Sequence, residues 1–116
     1  MGVRIEVVDV SGAMVVAPVG DVDLASAPSL LSQLQRAAAD GDQQVICCDL
    51  TRTDFLDSSG LSALVAAHHL AQEYGRDFWV VGPNDGVRRK MELTLLNELL
   101  TCLPTMAAVR AELDRR

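Results

Sequence analysis

Aromatic residues are scarce in this chain: one Trp, one Tyr and two Phe in 116 residues. A core organised around large rings is excluded, so Val, Leu, Ala and Ile must fill it. Basic residues are few as well. Ten Lys and Arg stand against sixteen Asp and Glu, a net charge of −6. That balance argues against nucleic acid and against direct membrane contact, because phosphate backbones and anionic lipid headgroups select basic surfaces. No apolar run approaches the roughly 20 residues that span a bilayer. There is no GxGxxG and no Walker A pattern, so no glycine-rich loop cradles a nucleotide phosphate. The three cysteines, Cys47, Cys48 and Cys102, are odd in number and lack a metal-ligand spacing. Cys47 and Cys48 are neighbours on a predicted strand and point to opposite faces, so all three read as small hydrophobes. Met1-Gly2-Val3-Arg4-Ile5-Glu6 has no basic region followed by an apolar one, as a secretory signal would. The expectation is a cytoplasmic protein with reduced thiols.

What is present is apolar and periodic. Hydrophobic residues make up 49% of the chain, enough for one core, and residues 1–116 are expected to form one domain. Residues 3–10 alternate, with Val3, Ile5 and Val7 on one face and Arg4 and Glu6 on the other, as a half-buried strand does. Ser11-Gly12 is a two-residue turn, and 13–19 is the returning strand of an antiparallel hairpin. Pro18 cannot donate to a ladder and is expected to make the end of that strand irregular. Ala27, Leu30, Leu31, Leu34, Ala37 and Ala38 then recur at helical spacing. Ser26 is the N-cap that suits Pro28, since it puts the proline at the second helical position, where its missing N–H costs nothing. Asp23 is then free for other work. Residues 45–50 form a buried strand, and a helix follows over about 59–74, stopped by Gly75. Another strand at 78–81, a helix at 87–96, a short strand at 99–103 and a helix after Pro104-Thr105 complete the chain. Strands alternating with helices predict an α/β fold: a mixed, mostly parallel sheet, an N-terminal β-hairpin at its edge and about four helices.

In such a sheet the loops after parallel strands gather at one edge, where sites form. Asp21 and Asp23 follow the second strand, Asp54 and Asp57 the third, and Asn84 and Asp85 the fourth. Ser58 and Ser59 stand among them, where strand turns to helix. A serine there is most often an N-cap. The sequence is also arranged against other uses. A serine nucleophile needs a histidine base, and His68 and His69 lie roughly 15 Å further along the same helix at ~1.5 Å per residue. Clustered carboxylates can hold Mg²⁺. A receiver-like phosphoaspartate site needs a lysine after a late strand, but the chain's one lysine, Lys90, falls inside a predicted helix.

Gly20-Asp21-Val22-Asp23-Leu24-Ala25-Ser26-Ala27-Pro28 with Leu30, then Asp49-Leu50, then Phe55-Leu56-Asp57-Ser58-Ser59-Gly60-Leu61 carry a resemblance. They look like the STAS domain family, and within it most like the bacterial anti-sigma factor antagonists. The resemblance runs through nearly the whole chain in order. It implies a binding module rather than an enzyme, with no catalytic residues and no cofactor or metal of its own. It implies that Ser58 is phosphorylated by an anti-sigma factor serine kinase of the GHKL type, to which ATP and Mg²⁺ belong. Unphosphorylated, the antagonist captures that kinase and frees its sigma factor; a PP2C-type phosphatase restores capture after phosphorylation. Asp21, Asp23, Asp57, Ser59, Gly60, Ser62 and His69 are the expected partner-binding residues. Gly60 is assigned close approach by a partner's backbone, Ser59 the helix cap, and Asp57 and Asp23 the fixed charges beside Ser58. An alternative is a STAS subunit of another assembly, such as a lipid-transport ATPase or a stress-signalling scaffold, acting as a constant docking module. The chain departs from the family at Leu95, where glycine is usual, and at Lys90, where an apolar residue is usual.

Overall fold

The computed structural model describes residues 3–116; Met1 and Gly2 of the N-terminal reading and of the expected domain lie outside them. Strands β1 (Arg4–Val10), β2 (Ala13–Val19), β3 (Val45–Asp49), β4 (Asp77–Val81) and β5 (Thr101–Leu103) form one sheet in the order β1-β2-β3-β4-β5. Only the β1–β2 pair is antiparallel. Its turn, Ser11-Gly12, has φ of 54° and 92°, the two positive values of a tight hairpin turn. Helices α1 (Ala27–Asp40), α2 (Ser58–Glu73) and α3 (Asp85–Leu93) cross between successive parallel strands, a short α4 (Leu96–Leu99) precedes β5, and α5 (Met106–Asp114) ends the chain.

Strand order that advances one way, with right-handed crossovers, puts every crossover helix on the same face. The core divides accordingly. Val16, Ile46, Cys48, Phe78 and Val80 pack toward α1, α2 and α3, with Leu30, Leu34, Leu64 and Met91. Ala13, Val15, Val45, Cys47, Trp79 and Val81 face the other way, where Val109 of α5 covers them. Cys47 and Cys48 thus lie in different halves of the core. Burial pushes the Cys47 thiol up to about 12 and the Cys48 thiol up as well. Cys102, by contrast, sits exposed on edge strand β5.

Three local expectations change. Val7 is 46% exposed, since β1 is the sheet's other edge and only Val3 and Ile5 of its inner face reach the core. The end of β2 is regular: Pro18 pairs with Ile5, and the rungs with β3 have already stopped at Val16. The helix expected over 87–96 breaks at Leu95, whose φ of 61° is left-handed, and restarts as α4. Leu95 therefore takes the backbone conformation that glycine adopts without strain.

Candidate functional site

The loop from β3 to α2 is pinned on two sides before it reaches Ser58. On the β2 side, Val22 N–H donates to the Phe55 carbonyl (2.8 Å) and Asp57 N–H to the Val22 carbonyl (3.1 Å), a one-rung bridge beyond the strands. The buried Thr53 hydroxyl donates to the Pro18 carbonyl at 2.8 Å. On the α3 side, Asn84 Nδ2 donates to the Asp54 carbonyl (2.8 Å), and Lys90 Nζ to the Leu56 carbonyl (3.1 Å). Asn84 also caps α3 by accepting from Val87 N–H.

Asp57, not a serine, is the N-cap of α2. Its Oδ1 accepts the N–H of Ser59 (2.9 Å) and of Gly60 (3.2 Å), and the Ser59 hydroxyl (2.5 Å). These donors, the Ser59 hydroxyl first among them, hold the Asp57 carboxyl below its ordinary value of 3.8. The Ser59 cap expected from sequence is corrected by this geometry. The carboxylate accepts from both amides, and Ser59 serves as one of its donors. Ser58 is the first helical residue and exposed, and its hydroxyl makes no hydrogen bond among the described residues.

Asp23 is not free, contrary to expectation. Its Oδ1 accepts from Ala25 N–H, Ser26 N–H and the Ser26 hydroxyl, each at 3.1 Å, and Ser26 Oγ accepts Asp23 N–H at 2.9 Å. This reciprocal pair shapes the turn leading into α1, so Ser26 begins the helix without capping it by its side chain. Asp21 is exposed on the same loop. Gly60 is also corrected. It is buried, and a Cβ there would meet Leu56 at 2.6 Å and Val22 at 3.1 Å. Its small size lets α2 lie against the Val22–Leu56 bridge, and it faces inward rather than toward a partner.

The exposed ridge of α2 is Ser58, Ser62, Ala66 and His69, spaced as successive turns place residues on one face. Ser62 Oγ donates back to the Ser58 carbonyl at 3.0 Å. An open, mainly apolar groove flanks the ridge on each side. One, about 440 Å³, runs from Ser58 past Val65 to Thr94 and Leu96 at the α3–α4 turn. The other, about 450 Å³, runs from Ser59 past Ala63 to Leu24, Pro28 and Leu31. Ser62 and Ala66 border both. His69 stands exposed beyond the grooves, edge-on to His68 and about 16 Å from Ser58 by helical rise. The groove residues Leu24, Pro28, Leu31, Thr94 and Leu96 were missed from sequence. The one signal available was Leu24, an apolar residue in a polar loop. It is 77% exposed.

Among the described residues no three His, Cys, Asp or Glu side chains are grouped as a metal site would need. Among them too, no helix is long and apolar enough to cross a membrane.

The STAS domain model matches residues 4–110. Among solved structures, an anti-sigma factor antagonist from Mycobacterium paratuberculosis is 30% identical, with 94% of this chain and 92% of that one covered and a TM-score of 0.83. The anti-sigma factor antagonist SpoIIAA in its unphosphorylated form is 15% identical over 97% of this chain and 96% of its own, with a TM-score of 0.70. The Bacillus cell fate determinant SpoIIAA in its phosphorylated form is 16% identical over 94% and 97%, also at 0.70. The chain belongs to the STAS domain family and has the fold of the anti-sigma factor antagonists.

Proposed function

We propose that this STAS domain is itself an anti-sigma factor antagonist, a binding module switched by phosphate and not an enzyme. Unphosphorylated, it captures a GHKL-type anti-sigma factor serine kinase in the cytoplasm and so releases that kinase's sigma factor. The kinase, using its own ATP and Mg²⁺, phosphorylates Ser58 and ends capture; a PP2C-type phosphatase resets the chain.

The observation that carries this reading is the position of Ser58. Its hydroxyl is exposed and unengaged at the head of a ridge lined on both sides by apolar grooves. A phosphate there adds about −1.5 to −2 charges. The N-terminus of α2 tolerates that charge, so the fold survives. A docked partner would not tolerate it, because the phosphate would be desolvated next to Asp57 and the acidic loop of Asp21. SpoIIAA matches this fold equally well in its unphosphorylated and phosphorylated forms, which supports a switch at the surface. The ridge residues Ser62 and His69 and the groove walls are the partner-binding surface of this reading.

The test is incubation of the chain with the anti-sigma factor kinase and ATP. One phosphate is expected, mapped by mass spectrometry to Ser58. Labelling at Ser59 or Thr94 in its place would overturn the assignment.

A further inference from the structure

We infer that Lys90 is a positioning residue for the phosphate-accepting turn: it holds one side of the Leu56–Asp57 peptide plane that leads into Ser58. The consequence for phosphorylation rests on the reading of Ser58 as acceptor; the clamp itself rests on geometry alone. The Leu56–Asp57 peptide is gripped at both of its polar atoms. Its N–H donates to the Val22 carbonyl at 3.1 Å, from the β2 side. Its C=O accepts Lys90 Nζ at 3.1 Å, from the α3 side. Both polar atoms of this one peptide unit are thus tied to opposite neighbours, immediately before the carboxylate that caps α2.

A surface lysine is ordinarily a solvated charge on a flexible stem. Lys90 is half-buried, and its ammonium also lies 4.2 Å from the centre of the Phe55 ring. Two contacts of different kinds thus fix one cation, and both are to the loop that ends at Asp57. Lys90 also reaches toward the groove. Its carbonyl accepts the Thr94 hydroxyl at 2.7 Å, and Thr94 forms the wall of the groove that begins at Ser58. That bond is to the backbone of Lys90 and does not depend on its side chain, whose own contacts bear on the aim of the Asp57–Ser58 turn. Without that side chain, the carbonyl of Leu56 is released on the α3 side, and the cap that orders the first turn of α2 loosens.

The test uses the ¹⁵N-labelled full chain, with amide hydrogen exchange followed by NMR in the wild type, Lys90→Met and Lys90→Arg. Methionine keeps the apolar stem and removes the donor; arginine keeps the cation and its donors. The Met variant is expected to exchange the Asp57, Ser59 and Gly60 amides on the order of tenfold faster, as loss of one charged hydrogen bond implies. The amides of Leu64 and Ala67 keep their rates, and Arg restores protection. In the kinase reaction the Met variant is expected to lower kcat for Ser58 with KM unchanged, because the ridge and grooves that bind the kinase are intact. Unchanged exchange at the three amides in the Met variant would overturn the inference. So would an equal rise throughout α2, which would mean general destabilisation. A wild-type chain left unlabelled at Ser58 would sink the antagonist reading, while the exchange experiment would still judge the clamp.

Discussion

Ser59 gives both its hydroxyl and its backbone N–H to one oxygen of Asp57, at 2.5 and 2.9 Å, while the adjacent Ser58 gives that carboxylate nothing. Two neighbouring serines are thereby separated in role by the geometry of a single cap. Ser59 is held, and Ser58 is available.

The cap makes stability depend on pH in a defined direction. The carboxyl of Asp57 is held below its ordinary 3.8 in the folded chain, chiefly by the Ser59 hydroxyl. Its contribution is therefore fully present above the unfolded value and is lost as pH falls through the lowered folded one. Asp57→Ala should be less stable than the wild type at neutral pH. The gap should stay constant down to about pH 5 and close below about pH 4. Urea unfolding across that range measures it, and a gap that widened in acid would contradict the assignment.

Substitution of the acceptor should separate binding from folding. Ser58→Ala should melt as the wild type does, capture the anti-sigma factor kinase and resist phosphorylation. Ser58→Glu should also stay folded, since an acidic first-turn residue suits the helix dipole. Its capture, measured by calorimetry, should weaken by at least about tenfold, because a buried like charge opposes docking. Tight binding by the Glu variant would defeat the repulsion argument.

Charge placed in either groove should act on capture alone. Leu24→Asp and Ala66→Glu alter exposed positions, so stability should change by less than about 0.5 kcal/mol. Capture should fall by about tenfold or more, since the apolar wall would have to bury a carboxylate. Retained affinity in both variants would mean that the grooves are not the docking surface.

Gly60→Ala should behave in the opposite way. The added methyl meets Leu56 and Val22, both buried. Overpacking of this kind costs about 1–3 kcal/mol. The loss should appear in denaturant melts of the isolated chain. A variant of normal stability with weakened capture would restore the idea that Gly60 meets the partner.

Leu95→Gly should stabilise the chain by about 0.5–1 kcal/mol. Leucine at φ 61° carries a left-handed penalty of about 1–2 kcal/mol, and glycine offsets part of the gain through its freer unfolded state. The side chain is 63% exposed, so little packing is lost. A lower melting midpoint would show that the leucine contributes contacts that outweigh the strain.

Local sequence carried much of the fold. Ser11-Gly12 marked a hairpin because few residues accept two successive positive φ values, and that is the turn observed. Pro28 located the start of α1 correctly through its missing N–H. The same reasoning failed one step further on, because naming Ser26 the N-cap does not leave Asp23 free. The chain uses both, one for the turn and one for the helix boundary. In the sequence Gly60 reads as a gap for a partner's backbone; a gap that admits the neighbouring Val22–Leu56 bridge suits glycine equally, and no local signal distinguishes the two. Leucine itself favours helix, so the left-handed turn at Leu95 was signalled only by the resemblance, in which glycine is usual there.

The sequence by itself determined the alternation of strands and helices, the acidic edge and the presence of a serine pair where β3 turns into α2. Those properties depend on periodicity and on backbone preferences a few residues long. Only the tertiary structure decided what surrounds that pair. Lys90 reaches Leu56 across 34 positions, and Asn84 reaches Asp54 across 30. The groove walls come from α1 and from the α3–α4 turn, which meet the ridge of α2 because right-handed crossovers stack these helices on one face of the sheet. Contacts of that range leave no periodic trace in the chain, so which serine is free, and what shapes the surface beside it, emerges only when the sheet has brought distant residues together.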